Sequence, residues 1–178
     1  KDAHLPEGRK YHGSELKKPE AKAAWAAVDT LAKKSIYLRR EFYVAKKVKD
    51  ATAYVCGLGF YEFSLNGEKV GDSEFAPLWS DYDKSVYYNT YDVTSQVKKG
   101  GNAIGVLLGN GFYNVQGGRY RKLQISFGAP TLRFRMVVNY EDGTSETIVS
   151  GKDWKYDFSP VLFNCIYGGE DYDARREQ

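Results

Sequence analysis

From Ser35 onward, apolar residues recur at every second position. Ile36, Leu38, Phe42 and Val44 fall on one side of an extended segment, interrupted by Arg40, while Tyr37, Arg39, Glu41 and Tyr43 fall on the other. Side chains alternate across a strand, so the pattern predicts a half-buried strand broken at Arg40. Thr52 to Cys56 and Phe60 to Leu65 predict the next two strands. Asn66-Gly67 then supplies a two-residue turn whose positive φ angles suit a tight hairpin, so Glu68 to Gly71 returns antiparallel. Ser85 to Val93 predicts a further strand, after which Asp92 or Thr94 is placed to cap one short helical turn through Val97, and Gly100-Gly101 stops it. Ala103 to Leu108 is continuously apolar, the pattern of a strand covered on both faces. Leu132, Phe134, Met136, Val138 and Tyr140 alternate without a break, and Glu141-Asp142-Gly143 turns the chain into Glu146 to Val149. Trp154 to Phe158 and Val161 to Ile166 complete the set.

About nine to ten short strands separated by turn signals, with no long helix, predict an all-β protein: a β-sandwich of jelly-roll connectivity. A doubly wound α/β fold needs amphipathic helices between strands, and these connections are too short and too polar to hold them. Residues 1–34 read differently. Glu20 to Lys33 is Ala-rich around Trp25, which favours a helix locally, yet its apolar positions lack a clean helical period. The expectation is an irregular or partly helical arm over residues 1–34, packing through Trp25 on a sandwich that spans residues 35–178.

The length of 178 residues suits one domain with a closed core. Hydrophobic residues at 42% and charged residues at 28% place the chain among folded globular domains. With 26 Lys+Arg against 23 Asp+Glu the net charge is only +3, and bases alternate with acids, so nucleic acid is disfavoured as a partner. The only histidines, His4 and His12, precede the first core element, which argues against a histidine-based catalytic centre or zinc site. Cys56 and Cys165 are too far apart in sequence for a zinc knuckle, leaving one long-range disulfide or two buried thiols. No apolar run approaches the ~20 residues of a membrane helix. The expectation is a soluble chain, without membrane partners, from which any targeting signal has been removed.

Several motifs invite chemistry. Gly57-Leu58-Gly59 and Gly109-Asn110-Gly111 resemble phosphate cradles, but Glu62 and Asn114 stand where a dinucleotide fingerprint needs its third glycine. They read better as glycines at tight turns or bulges. Asp81-Tyr82-Asp83 and Glu170-Asp171-Tyr172-Asp173 gather carboxylates. Adjacent acids do not make a glycosidase pair, whose members face each other roughly 5–9.5 Å apart across a cleft. They also lack EF-hand calcium spacing, so solvated turns are the default, with a metal or partner contact as the alternative. Aromatic residues are abundant, at 15 Tyr, 9 Phe and 3 Trp. Their carbon faces stack on the C–H face of a pyranose, while neighbouring polar side chains satisfy its hydroxyls. Trp79, in the loop Pro77 to Tyr82, and Phe112 and Tyr113, just after Asn110-Gly111, are the candidates for such a role.

Together these segments form a recognisable series. Arg39-Arg40-Glu41-Phe42, Gly57 to Glu62, Leu65 to Gly71, Ala76 to Tyr82, Tyr91 to Thr94, Asn102 to Tyr113 and Gly169 to Arg175 occur in order. The series resembles the N-terminal domain of bacterial α-L-rhamnosidases, glycoside hydrolase family 78. The resemblance implies a galactose-binding-like jelly roll without catalytic residues, since the family's carboxylates act, with inversion, on a separate (α/α) barrel. It implies rhamnose-containing carbohydrate and the catalytic domain of the same chain as partners, and a periplasmic or extracellular setting. Some related modules hold rhamnose through calcium, so a calcium-assisted site is among its implications. Carbohydrate contact would fall to Trp79, Asn110, Phe112 and Tyr113, and the junction with the catalytic domain to Glu170, Asp173 and Arg175. Phe112 stands where many relatives carry Trp. A sequence that ends three residues after the closing motif reads as an excised accessory domain, the alternative being a purely structural domain with no sugar affinity.

Overall fold

The computed structural model describes residues 34–115 and 125–177. The expected arm, with Trp25, lies outside the described residues except for Lys34. The described chain forms β1 (Ile36–Val44), β2 (Val48–Leu58), β3 (Tyr61–Leu65), β4 (Glu68–Lys69), β5 (Asn89–Asp92), β6 (Gly100–Leu108), β7 (Asn114–Val115), β8 (Ile125–Ser126), β9 (Thr131–Tyr140), β10 (Ser145–Val149), β11 (Lys155–Phe158), β12 (Val161–Cys165) and β13 (Gly169–Tyr172).

Two antiparallel sheets make the sandwich, a five-stranded one ordered β11-β1-β6-β3-β4 and a four-stranded one ordered β10-β9-β2-β5. Their inner faces carry the alternating apolar residues. Phe42, Val44, Phe63, Leu65, Ile104, Val106 and Leu108 of the first face Ala51, Ala53, Val55, Phe134, Met136, Val138 and Ile148 of the second in one core. The rings of Phe63 and Phe134 meet edge to face across it at 5.5 Å. Arg40 holds an inner position at the sandwich margin, where its guanidinium reaches Asp153. Asn66 and Gly67, at φ 55° and 85°, make the expected left-handed turn.

Two expected elements differ, and a third is as expected. The strand expected at Thr52 to Cys56 is twice as long, because Lys49-Asp50 hides its start behind a bulge and Gly57 continues its inner row. The strand expected over Ser85 to Val93 pairs only at Asn89–Asp92; Val86, Tyr87 and Tyr88 are all exposed, so their apolar run has no inner face to fill. The turn to Val97 is present, with N–H groups of Gln96 and Val97 donating to the Val93 carbonyl at 3.0 and 3.1 Å, and Asp92 is its acceptor residue, taking the Thr94 N–H at 3.0 Å.

The hairpin β12-β13 stands apart as its own two-stranded sheet. It is tied back to the start of β1, where the Ser35 N–H donates to the Val161 carbonyl at 3.3 Å and Asn164 Nδ2 donates to Ser35 Oγ at 2.8 Å. No strand was expected at β13, whose four residues are all exposed and therefore show no alternation. Cys56 and Cys165 are free thiols, which decides between the two readings left by the sequence.

Candidate functional site

The two glycine clusters meet at one end of the sandwich. The Gly109 N–H donates to the Phe60 carbonyl at 2.8 Å. A Cβ on Gly59, whose φ is +127°, would lie 2.1 Å from the Gly109 carbonyl oxygen, and one on Gly111, at φ +52°, would lie 2.7 Å from the Phe60 nitrogen. Glycine therefore lets the β2–β3 corner and the exit of β6 pass backbone against backbone, as expected of glycines at a sheet end.

Asn110 sits between these glycines and is 1% exposed. Its backbone N–H donates to Asn164 Oδ1 at 2.8 Å, its Nδ2 donates to the Asn164 carbonyl at 3.1 Å, and its Oδ1 accepts from Asn114 Nδ2 at 2.9 Å. The expectation that Asn110 offers its amide to a sugar is corrected on this geometry. The amide is spent inside the protein, tying β6 to β12 and to the start of β7.

Phe112, two residues after Asn110, is half-buried and carries an aromatic cluster. Trp79 stacks on Phe112 at 4.8 Å and 15° between planes; Phe60 and Tyr167 meet it edge-on at 5.9 and 6.0 Å. Phe75 joins through Phe60 at 5.5 Å. Trp79 is 59% exposed, Phe75 67% and Leu78 76%, a contiguous apolar surface of the kind that marks an interaction site. Beside it opens a cleft of ≈ 400 Å³ with Phe60, Phe75, Leu107 and Ile166 among its apolar lining and the carboxylates of Glu62, Glu74 and Glu170 around it. Glu74 is paired with Lys69 at 2.9 Å.

Tyr113 points elsewhere. Its ring stacks on Phe127 at 5.6 Å and meets Tyr82 edge-on at 5.2 Å, and its hydroxyl donates to the Phe127 carbonyl at 3.1 Å. Burial raises the Tyr113 phenol above its usual range and pushes that of Tyr82 up to about 12. The structure thus brings Trp79 and Phe112 together, but places Tyr113 in a separate aromatic group. Phe60, Phe75, Leu78 and Tyr167 were not among the sequence candidates. The signal for two of them was present, because Phe75 and Leu78 flank Ala76-Pro77 in a segment that no strand claims.

At the tail, Asp173 and Arg175 form a bidentate pair at 2.8 and 2.9 Å, which holds the Asp173 carboxyl below its ordinary range. Asp173 also caps the 3-10 turn Ala174–Arg176. Glu170 is exposed and turned to the cleft rather than to this pair. Asp81 takes Lys84 at 3.1 Å and the Asp83 N–H at 3.3 Å, the pattern of a solvated turn. Among the described residues no three His, Cys, Asp or Glu side chains come together as a metal-binding cluster.

Fold and cleft thus define the class: a β-sandwich domain with a solvent-open aromatic cleft at one end. The family model for the α-L-rhamnosidase N-terminal domain matches residues 46–178, and the chain belongs to that family. It is 46% identical over 145 residues to an α-L-rhamnosidase of Formosa agariphila, covering 79% of this chain and 15% of the relative. Its fold matches the crystal structure of the Streptomyces avermitilis α-L-rhamnosidase complexed with L-rhamnose, with a TM-score of 0.75 and 42% identity over 81% of this chain and 14% of that one. The native α-L-rhamnosidase of Aspergillus terreus matches with a TM-score of 0.77 and 39% identity, covering 82% and 17%. The chain therefore spans about 15% of the length of the curated relatives it matches.

Proposed function

We propose that this domain is a non-catalytic module of an α-L-rhamnosidase that holds a rhamnose unit of the substrate glycan on the Trp79 surface and the cleft beside it. The observation that carries the reading is the stack of Trp79 on Phe112, open to solvent on its outer side, next to carboxylates that accept hydrogen bonds from hydroxyls. Rhamnose is a neutral 6-deoxy sugar. Its C–H face and methyl group match the apolar surface, and its hydroxyls donate to Glu62 and Glu170. Asn110 contributes by positioning Phe112, not by contact. Hydrolysis, with inversion by two carboxylates, belongs in this reading to an (α/α) barrel elsewhere in the parent polypeptide.

A second reading is that the same surface packs against that barrel and binds no sugar. The exposure of Leu78, at 76%, favours it, as does Arg175, 89% exposed on an acid of its own chain and free to share its fork with a partner. Titration of the chain with methyl α-L-rhamnopyranoside, followed by tryptophan fluorescence, separates the readings. The proposed function predicts a saturable change that Trp79→Phe abolishes. A flat titration, with Arg175→Ala loosening the domains of the parent protein to proteolysis, supports the packing surface.

A further inference from the structure

The outer face of the four-stranded sheet carries a second arrangement with no role in the cleft. Of the six arginines among the described residues, Arg39, Arg40, Arg175 and Arg176 are ion-paired. The other two, Arg133 and Arg135, stand side by side on the outer face of β9, exposed and without a carboxylate partner. Two strand positions apart, their Cα atoms are ~6.6 Å from each other. Cross-strand register sets Cys56 opposite Arg133, and Tyr54 and Val149 on either side of Arg135. Tyr88 closes the row, its ring 6.2 Å from that of Tyr54. These residues line a groove of ≈ 340 Å³ that contains no acid. The acids further along the same face are already engaged, Asp50 by Asn139 Nδ2 at 2.5 Å and Asp92 by Thr94. The Cys56 thiol beside Arg133 is kept neutral by burial, which raises its pKa, and so supplies no counter-charge.

We propose that this groove binds an acidic saccharide, with Arg133 and Arg135 gripping a carboxylate or sulfate substituent and Tyr54 and Tyr88 stacking on the sugar ring that bears it. Guanidinium groups make bidentate, charge-assisted bonds to planar or tetrahedral oxyanions, and exposed tyrosine faces suit the C–H surface of a pyranose. Nucleic acid fits less well, because the chain's remaining described arginines are neutralised by its own acids and its net charge is only +3. The groove lies on the opposite sheet from the Trp79 cleft, so the two sites stand or fall separately.

The test is calorimetry of the 178-residue chain with four probes: an oligogalacturonate, a sulfated dextran oligosaccharide, a neutral dextran oligosaccharide and a poly-glutamate peptide. The expected result is binding of at least one acidic saccharide, weakened by added salt, with none of the neutral one; which acidic probe binds tells carboxylate from sulfate. The double variant Arg133→Gln/Arg135→Gln should lower that affinity at least about tenfold, and Tyr54→Ala about threefold or more. The charge-matched control Lys98→Gln/Lys99→Gln, at exposed lysines on the β5–β6 connection, should leave it within about twofold. No binding of either acidic saccharide, an equal loss in the lysine control, or poly-glutamate bound as tightly would each overturn the proposal. All five substituted positions are on the surface, and matched circular dichroism confirms folded variants. Binding of methyl α-L-rhamnopyranoside should be unchanged in the arginine variant.

Discussion

Replacing Asn110 by alanine separates a residue that builds the cleft from one that touches its ligand. The substitution removes the Nδ2 bond to the Asn164 carbonyl and the Oδ1 bond from Asn114 Nδ2, while the backbone bonds remain. Asn110 and Asn114 are each 1% exposed, so water does not replace what is lost. Stranding a buried polar group costs roughly 1–3 kcal/mol each, and the small void adds to it, giving about 3 kcal/mol in all. Urea unfolding followed by far-ultraviolet circular dichroism reads this directly. With a slope of about 2 kcal/mol/M the midpoint should fall by about 1.5 M. A fall of less than about 0.3 M at unchanged slope would refute the reasoning. Loss of rhamnoside affinity with stability intact would return Asn110 to the list of ligand contacts.

Gly59→Ala should cost more than about 3 kcal/mol or prevent folding, since it combines a positive φ with backbone overlap; near wild-type stability would show that the corner can move apart. Asp142, which accepts from Lys46 and Thr144 in the β9–β10 turn, has its carboxyl held below the ordinary range chiefly by the Lys46 bond. Its folded-state pKa is depressed, so its stabilisation is present above the unfolded value near ~4 and is lost as pH falls through the folded one. Asp142→Asn should therefore unfold at lower urea than wild type at neutral pH, with the gap closing below about pH 4; a pH-independent gap contradicts this. Alkylation in denaturant without reductant should modify both Cys56 and Cys165, whereas an unmodified chain would reveal a disulfide.

The sandwich was legible because half-buried strands write their burial into a period of two, and β1, β3, β9 and β10 each bury one side only. β13 left no such trace, because nothing covers either of its faces. At the site, Trp79 and Phe112 were legible from loop composition, but their contact is set by glycine packing between chain segments about fifty residues apart, Gly59 and Gly109. Asn110 misled for a physical reason. Between two glycines an amide reads as exposed, yet those glycines serve to bring backbones together, and the amide is buried by the approach they permit. Tyr113 follows Phe112 directly, and in this irregular loop the two rings join different clusters.

The central claim is that the open face of Trp79 receives a neutral deoxy sugar, and calorimetric titration of the chain with L-rhamnose, in wild type and Trp79→Ala, tests it most directly. Trp79 is 59% exposed and its buried part rests mainly on Phe112, so its removal should cost about 1–3 kcal/mol and leave a folded protein for comparison. The account predicts a saturable heat for the wild type, insensitive to added salt, that disappears in Trp79→Ala. Absence of any binding heat in the wild type, or an isotherm that Trp79→Ala leaves unchanged, would contradict it.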